Sequence, residues 1–210
     1  RFLVVSSACV YPKDTTMPSP ESEGFKDEPE SANAGYGWTK RMKEYLGRAY
    51  AEEFDMKIAI ARPFNAYGPR DDFFAEYSHV IPGLLQRILA GENPLVVWGS
   101  GQQTRSFVYA TDFAQGLLEV CEKYAVADPL NIGSKEEISI GNLARLIIQL
   151  VGAKTEIVFD TSKPDGQSRR TCDTTKAEDK IGFVAKVALA DGLKETINWY
   201  VREKKHRGQQ

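Results

Sequence analysis

Residues 36–40, Tyr-Gly-Trp-Thr-Lys, lie near the start of a helical pattern that runs from Ala32 to about Phe54. A spacing of four residues places the phenol of Tyr36 and the ammonium group of Lys40 on one face of that helix. A phenol holds its proton tightly at neutral pH, and a cation one helical turn away favours the phenolate. Tyr36 is therefore a candidate general acid or base. The same spacing also fits a solvated helix face, because Tyr and Lys fall four apart in many amphipathic helices.

Two apolar runs flank this helix and predict the strands of a parallel βαβ unit. The first run spans residues 2–6, and the second spans residues 57–62 and stops at Pro63. Runs of this kind are typical of strands that are buried on both faces of a sheet. Ligands bind at the carboxyl ends of such strands. Ser7 and Asn65, which follow the two strands, are therefore expected to lie beside this helix.

The rest of the chain predicts an alternation of helices and short strands, which together with the βαβ unit makes an α/β fold. The sheet part extends to residue 69, and a smaller mixed α+β part covers residues 70–210, with chain crossings between the two. The predicted helices cover residues 79–90, 111–123, 139–151, 174–181 and 189–204, and the predicted strands cover residues 95–98, 106–109 and 156–159, with another strand ending at 131–133. Thr111, Asp112 and Ser139 are expected to cap their helices.

Composition and charge describe an ordinary globular protein. The 210 residues carry a formal net charge of −2, and 42% of them are hydrophobic, which gives no support to binding of nucleic acids or membranes. No apolar run approaches the roughly 20 residues that span a bilayer. The three cysteines, Cys9, Cys121 and Cys172, lack the paired spacing of a zinc site or a disulfide framework. They indicate a reducing compartment, the cytoplasm.

The chain begins within a predicted strand, and no glycine-rich dinucleotide fingerprint follows any strand in it. The run Gly-Ser-Gly at residues 99–101 follows an apolar stretch but opens no helix, so its context does not fit such a fingerprint. The sequence is therefore expected to be the C-terminal part of a doubly wound parallel sheet, with the smaller α+β part attached, from a longer protein.

Three motifs together resemble the extended short-chain dehydrogenase/reductase superfamily of NAD(P)-dependent sugar-nucleotide epimerases and dehydratases. They are Ser-Ser-Ala-Cys-Val-Tyr-Pro at 6–12, Tyr-x-x-x-Lys at 36–40 and Arg-Pro-x-Asn-x-Tyr-Gly-Pro at 62–69. The Ser-x-Cys element, the His-Val-Ile-Pro helix start and the Asp-Thr-Ser-Lys-Pro-Asp-Gly loop at 160–166 are most similar to the GDP-L-fucose synthases. Residues 98–107 are also similar to the GDP-mannose 3,5-epimerases, although that family generally has lysine where this chain has His79.

The resemblance implies a Rossmann-like domain that binds NAD or NADP, of which residues 1–69 are the remaining part. It implies a nucleotide-sugar-binding domain made mainly from residues 70–210. The pyrophosphate-binding glycine turn is expected in roughly 100 further residues that precede this chain. The resemblance also implies a homodimer in which the Tyr36 helix packs against its mate.

Residue by residue, the resemblance assigns Tyr36 as the acid or base and Lys40 as its electrostatic helper and a donor to the nicotinamide ribose. It assigns Ser7 as a hydrogen-bond partner of the substrate oxygen, with Ser6 as the alternative. Donors fixed at a ketone oxygen stabilise the charge that develops there during hydride transfer. The cofactor is expected to contact Tyr36, Lys40, Ser6, Pro63 and Asn65.

Epimerisation next to a ketone needs a base that removes the α-proton and an acid that returns one on the opposite face. Thiol and imidazole groups titrate close to neutral pH, and the synthase-like positions assign these tasks to Cys9 and His79. Other interpretations stay open. Free cysteines are usually buried and inert, and a histidine at a helix start is more often a packing residue.

The predicted substrate-binding part supplies candidates for contact with a nucleoside diphosphate. Arg87, Arg105 and Arg170 carry guanidinium groups suited to phosphate. Trp98 is expected to stack on or border the base, and Asp165 to accept from a ribose or guanine donor. Isolated arginines are often merely solvated, and a tryptophan is often a core residue.

The resulting hypothesis is a GDP-4-keto-6-deoxymannose 3,5-epimerase-4-reductase that needs no metal and favours a GDP-sugar as substrate. The enzyme alternatives are a GDP-mannose 3,5-epimerase and a UDP-hexose 4-epimerase. A third alternative is a module that binds nucleotide sugars without turnover, because the chain holds no glycine-rich fingerprint.

Overall fold

A computed structural model describes residues 1–73 and 78–207 of the chain, which forms two compact units. Unit 1 consists of Arg1–Ala66, Ser106–Glu137 and Arg169–Lys186, and unit 2 consists of Tyr67–Arg105, Ile138–Ser168 and Val187–Gln210. The predicted boundary after residue 69 lies close to the first crossing between the units. Two stretches beyond that boundary, 106–137 and 169–186, belong to unit 1. The first of them supplies one strand of its parallel sheet.

Helices and short strands alternate along the chain. In order they are β1 (Phe2–Val5), α1 (Ala34–Phe54), β2 (Ile58–Pro63), β3 (Ala66–Tyr67), α2 (Val80–Leu89), β4 (Leu95–Trp98), β5 (Thr104–Ser106), β6 (Val108–Tyr109), α3 (Ala110–Lys123), β7 (Pro129–Ile132), β8 (Glu137–Ser139), α4 (Ile140–Val151), β9 (Ile157–Asp160), β10 (Arg169–Arg170), α5 (Thr175–Ile181) and α6 (Leu189–Arg207). A 3-10 turn, Ala8–Val10, follows β1.

Unit 1 is built on a parallel sheet with the strand order β1-β2-β7. Val4 pairs with Ile60 of the central strand, and Ile60 pairs with Pro129 of β7. Parallel strands end at the same edge of a sheet, so the residues that follow β1 and β2 lie on one side of unit 1. The predicted parallel βαβ unit is confirmed.

The central strand is buried on both faces, which is why its sequence is a continuous apolar run. Ile58 and Ile60 pack with Val4 on the face that carries α1. Ala59 and Ala61 point to the other face, where α3 and α5 pack with β7. The small alanine side chains leave room for the larger residues of these helices.

Unit 2 contains the parallel strand pair β4 and β9 and three packed helices. Trp98 is opposite Asp160 at the carboxyl end of this pair. Helix α4 contacts both α2 and α6. The Ser139 side chain accepts a hydrogen bond from the Asn142 amide, so the predicted cap of α4 is confirmed.

Two local predictions were wrong. Helix α3 begins at Ala110, so Thr111 and Asp112 lie inside its first turn and Tyr109 occupies the cap position. Asp112 instead accepts a hydrogen bond from the Lys186 amide at 2.8 Å. The predicted strand 106–109 is divided in two at Phe107. None of the helices within the described residues is both long enough and apolar enough to cross a bilayer.

Candidate active site

The start of α1 packs directly against the turn that follows β1. Ser7 caps this turn, since its Oγ accepts from the Cys9 amide at 3.2 Å. A Cβ atom on Gly37 would collide with the Cys9 carbonyl oxygen and with the ring of Pro29. Glycine at this position, directly after Tyr36, therefore lets the start of the helix approach the turn closely.

Tyr36 and Lys40 share one face of α1, as their spacing predicts. The Lys40 ammonium lies 5.2 Å from the centre of the Tyr36 ring. It also donates to the Val5 carbonyl oxygen at 2.8 Å, which fixes it at the carboxyl end of β1. The Tyr36 side chain is 52% exposed. This phenol is therefore open to a ligand, while the cation beside it is held in place; their catalytic roles stay predictions.

The two serines after β1 have different surroundings. Ser6 is buried, and its hydroxyl donates to the Glu44 carboxylate. Ser7 is only partly buried. Its oxygen accepts from the Cys9 amide, and contact with substrate stays a prediction for both serines.

The end of β2 provides the two further residues predicted at the cofactor. Pro63 is the last residue of the strand and pairs with Ile132 of β7. Asn65 has a left-handed backbone, with φ of 39°, and its amide nitrogen donates to the Ser106 carbonyl oxygen at 2.8 Å. Asn65 therefore braces the loop after β2, and contact with the cofactor stays a prediction for both residues.

A buried polar network, which none of the three sequence motifs indicated, lies behind this site. Arg62 of β2 donates to both oxygens of Glu44 of α1 at 2.8 Å. A further Arg62 nitrogen donates to the Tyr11 hydroxyl at 3.2 Å, and that hydroxyl donates to Asn131 at 2.6 Å. The sequence carried one signal of this network, an arginine within a predicted buried strand, because a buried charge needs a partner.

The charges of this network follow from its contacts. Burial disfavours the cation, but the Glu44 carboxylate and the Tyr11 oxygen raise the pKa of Arg62 above its ordinary value. Burial raises the pKa of Tyr11 as well, although Arg62 acts in the opposite direction. These directions favour the charged form of Arg62 and the neutral form of Tyr11, in which the network ties α1 to the ends of β1 and β2.

Cys9 lies next to a cation. The Arg170 Nη2 atom is 3.3 Å from the Cys9 sulfur, and Arg170 Nη1 is 3.7 Å from a Glu30 carboxylate oxygen. Arg170 therefore belongs to the unit that contains Cys9, although sequence analysis grouped it with Arg87 and Arg105. Cys172 is enclosed, and burial raises the pKa of its thiol to about 12.

In unit 2, two of the predicted substrate-binding residues hold local structure together. Arg87 pairs with Glu92, with Nε 2.7 Å from Oε2, and also donates to the Val96 carbonyl oxygen. The hydrogen bond from Arg87 lowers the pKa of Glu92. Asp165 accepts from the amide of Ser100 at 2.6 Å. A role in substrate binding would require these side chains to add a contact to those they already make.

Three further predicted residues of unit 2 lie near its surface. Trp98 is 63% exposed, so it is not a core residue. Arg105 donates to the Gln167 carbonyl oxygen at 2.8 Å. His79 is the residue before α2, and its Nδ1 is 3.2 Å from an Asp71 carboxylate oxygen. Their contacts with substrate stay predictions.

This geometry, an α/β unit with Tyr-x-x-x-Lys beside the end of a parallel strand, agrees with the comparison of the chain with known families. Residues 1–133 match the NAD dependent epimerase/dehydratase family, and the chain belongs to that family. The resemblance found from the three sequence motifs is therefore confirmed.

Individual relatives show which enzymes of this family the chain is similar to. The chain is 35% identical to the GDP-L-fucose synthase of Dictyostelium discoideum over 200 residues, which are 93% of this chain and 62% of that protein. A crystal structure of a GDP-L-fucose synthetase from Naegleria fowleri bound to NADP has a TM-score of 0.89 and 31% identity, and covers 97% of this chain and 66% of that chain. A UDP-glucose 4-epimerase from Thermotoga maritima with UDP-glucose has a TM-score of 0.85 and 28% identity, and covers 97% of this chain and 64% of that chain. This chain thus spans somewhat less than two thirds of the length of these relatives.

Proposed function

We propose that this chain carries catalytic residues of a sugar-nucleotide epimerase/reductase, and specifically of a GDP-4-keto-6-deoxymannose 3,5-epimerase-4-reductase. The observation that carries the proposal is the position of Cys9. It lies with Ser7 on the turn that Gly37, the residue after Tyr36, approaches closely. The similarity to GDP-L-fucose synthases supports this assignment over other members of the family.

The donors of unit 1 fit the nicotinamide ribose end of NADP. An exposed phenol and a fixed ammonium group are suited to ribose hydroxyls and to a carbonyl oxygen. When bound, the cofactor supplies the hydride that reduces the ketone at C4. Tyr36 gives a proton to the oxygen of that ketone, Lys40 stabilises the resulting phenolate, and Ser7 donates a hydrogen bond to the same oxygen.

Epimerisation uses the thiol of unit 1. Cys9, as thiolate, takes the proton from the carbon next to the ketone, and the electron pair of the broken C–H bond moves to the ketone oxygen. A protonated group on the opposite face then returns a proton to carbon with inverted configuration. His79 of unit 2 is assigned this second task from the resemblance.

Unit 2 is proposed to bind the nucleotide. Its exposed Trp98 offers a stacking surface for a base. Arg105 supplies a guanidinium suited to the diphosphate, with Arg87 and Asp165 as further contacts. A GDP-sugar is the favoured substrate.

The strongest alternative is a UDP-hexose 4-epimerase, which the likeness to the Thermotoga maritima enzyme favours. Reversible oxidation and reduction at C4 requires Tyr36, Lys40 and Ser7 but no base at Cys9. A GDP-mannose 3,5-epimerase would use Cys9 without a net reduction. A module that binds without turnover would need none of these side chains.

Binding and product analysis separate these functions. Calorimetric titration of the purified chain with GDP, UDP and NADPH is expected to show binding of GDP in preference to UDP. Preference for UDP would support the 4-epimerase, and binding of neither nucleotide would contradict the proposal.

Turnover is then measured with the full-length natural protein. Cys9→Ser is expected to lower epimerisation by about 100-fold or more, which is the usual contribution of a general base, whereas Cys121→Ser should change nothing. Full epimerisation by the Cys9→Ser variant would exclude the proposed base. A wild-type protein without any turnover would support the binding module instead.

A further inference from the structure

Cys9 contacts a cation that is itself held by an anion. The Arg170 guanidinium lies 3.3 Å from the sulfur on one side and 3.7 Å from the Glu30 carboxylate on the other. The side chains of Arg170 and Glu30 are only 18% and 17% exposed. In such a shielded position, a guanidinium interacts more strongly with an anion than with a neutral thiol.

The other cations around this turn are committed to backbone carbonyls. Lys40 of α1 donates to the Val5 oxygen at 2.8 Å. Arg41, one residue further, donates to the Val10 oxygen at 2.7 and 2.9 Å. Both charges are fixed beside the turn by these bonds, whereas Arg170 contacts the sulfur itself.

We propose that Arg170 is a positioning residue that holds Cys9 in its thiolate form, with Glu30 fixing the guanidinium. The thiolate is the reactive form of cysteine. In the proposed epimerisation, an S–H bond forms as the substrate C–H bond breaks, and the electron pair moves to the ketone oxygen. Only this chemical use of the thiolate rests on the proposed function; the pairing of sulfur and guanidinium does not.

The test measures how fast Cys9 reacts with iodoacetamide as a function of pH. The thiolate sulfur displaces iodide, so the rate at each pH reports the fraction of thiolate. Mass spectrometry of the peptide that contains Cys9 gives this rate separately from those of Cys121 and Cys172. Glu30, the titratable group that contacts Arg170, is unchanged in the variants compared, and so is Tyr36.

The Arg170→Gln variant is expected to react on the order of tenfold more slowly than wild type at neutral pH, because it lacks the charge that stabilises the anion. At strongly alkaline pH, where every accessible thiol is ionised, its rate should equal or slightly exceed the wild-type rate. Arg170→Lys, which keeps the charge, should restore part of the rate at neutral pH.

The controls lie within the same chain. Arg169 pairs with Glu137 at 2.8 Å, so Arg169→Gln removes a neighbouring charge without touching Cys9 and should leave its rate unchanged. Cys121 should react equally in all variants, which shows that unit 1 is folded. Burial raises the pKa of Cys172 to about 12, so this thiol should stay unmodified near neutral pH.

Two results would overturn the proposal. One is an equal rate for wild type and Arg170→Gln at neutral pH. The other is a rate lowered by the same factor at every pH, because that pattern shows that Arg170 controls access to the sulfur and not its ionisation. Neither result depends on turnover. The proposed function is tested separately, by the products that the Cys9→Ser variant forms.

Discussion

Glu44 and Arg62 form a fully buried ion pair at the centre of unit 1. Burying two charges is costly, and their mutual attraction offsets this cost only while both partners are present. The same carboxylate accepts from Ser6, so a single side chain connects α1 with the ends of two strands.

Glu44→Ala is expected to lower the free energy of unfolding by roughly 3–5 kcal/mol, because it leaves the Arg62 charge buried without its partner. Urea denaturation measures the loss. Glu52→Ala, on an exposed part of the same helix, is the matched control and should change stability by no more than about 0.5 kcal/mol.

The double variant Glu44→Leu with Arg62→Met extends this test. It should recover part of the lost stability, since apolar side chains of similar volume remove both desolvation costs, while the buried Ser6 hydroxyl loses its acceptor. Equal midpoints for Glu44→Ala and Glu52→Ala would contradict the assignment of the network as a structural support of the site.

At the scale of elements, the position of helix α1 depends on one close approach to the turn after β1. Gly37 faces the Cys9 carbonyl oxygen and Pro29 with no space for a Cβ atom, whereas the position of Gly35 is open. Both glycines lie in the first turn of the same helix, and they therefore provide a matched pair.

Gly37→Ala is expected to destabilise the protein by about 1–3 kcal/mol, because the helix start must move away from the turn. It should also lower any turnover, since Tyr36 moves with the helix. Gly35→Ala should instead stabilise it by up to about 1 kcal/mol through helix propensity. Thermal denaturation of the two variants shows the sign of each change, and a stabilising Gly37→Ala would refute the close contact.

The sequence predicted those elements whose residues repeat with a clear period. Helix α1 and strands β1 and β2 fall within one or two residues of their expected bounds, because an amphipathic helix and buried strands leave strong local patterns. The Ser139 cap was predictable from another local signal, a serine directly before a helical pattern. The start of α3 was not, because the Lys186 amide, far along the chain, binds the Asp112 carboxylate.

The candidate site was predictable only in part. Tyr36 and Lys40 lie one helical turn apart, so local spacing is enough to bring them together. The contact between Cys9 and Arg170 joins positions 161 residues apart. No periodic pattern encodes such a contact, and only the folded unit shows it.

At the scale of the whole molecule, helix α1 exposes a row of apolar side chains. Met42 and Tyr45 are 56% and 62% exposed, and Trp38 and Leu46 extend the same apolar surface. Apolar patches of this kind mark protein interfaces. The family resemblance implies a homodimer through this helix, and these residues are the ones expected to meet the mate.

Replacing both Met42 and Tyr45 with lysine is expected to convert a dimer into a monomer, because buried like charges would face each other across a two-fold axis. Sedimentation equilibrium measures the mass. Leu118→Lys, on α3, changes a residue that is 58% exposed and should leave the dimer intact. A wild-type monomer, or dissociation by Leu118→Lys alone, would remove α1 as the interface.

The division of unit 1 into three separate stretches has a consequence for biosynthesis. Its last stretch, Arg169–Lys186, carries α5, which packs against β7 and closes the apolar face of Ala59 and Ala61. Until residue 186 has left the ribosome, α3 is the only one of the two helices on that face that covers it, and the part that α5 covers stays open. Nascent chains stalled before this point should therefore be captured by chaperones that bind apolar segments, and chains stalled beyond it should be released.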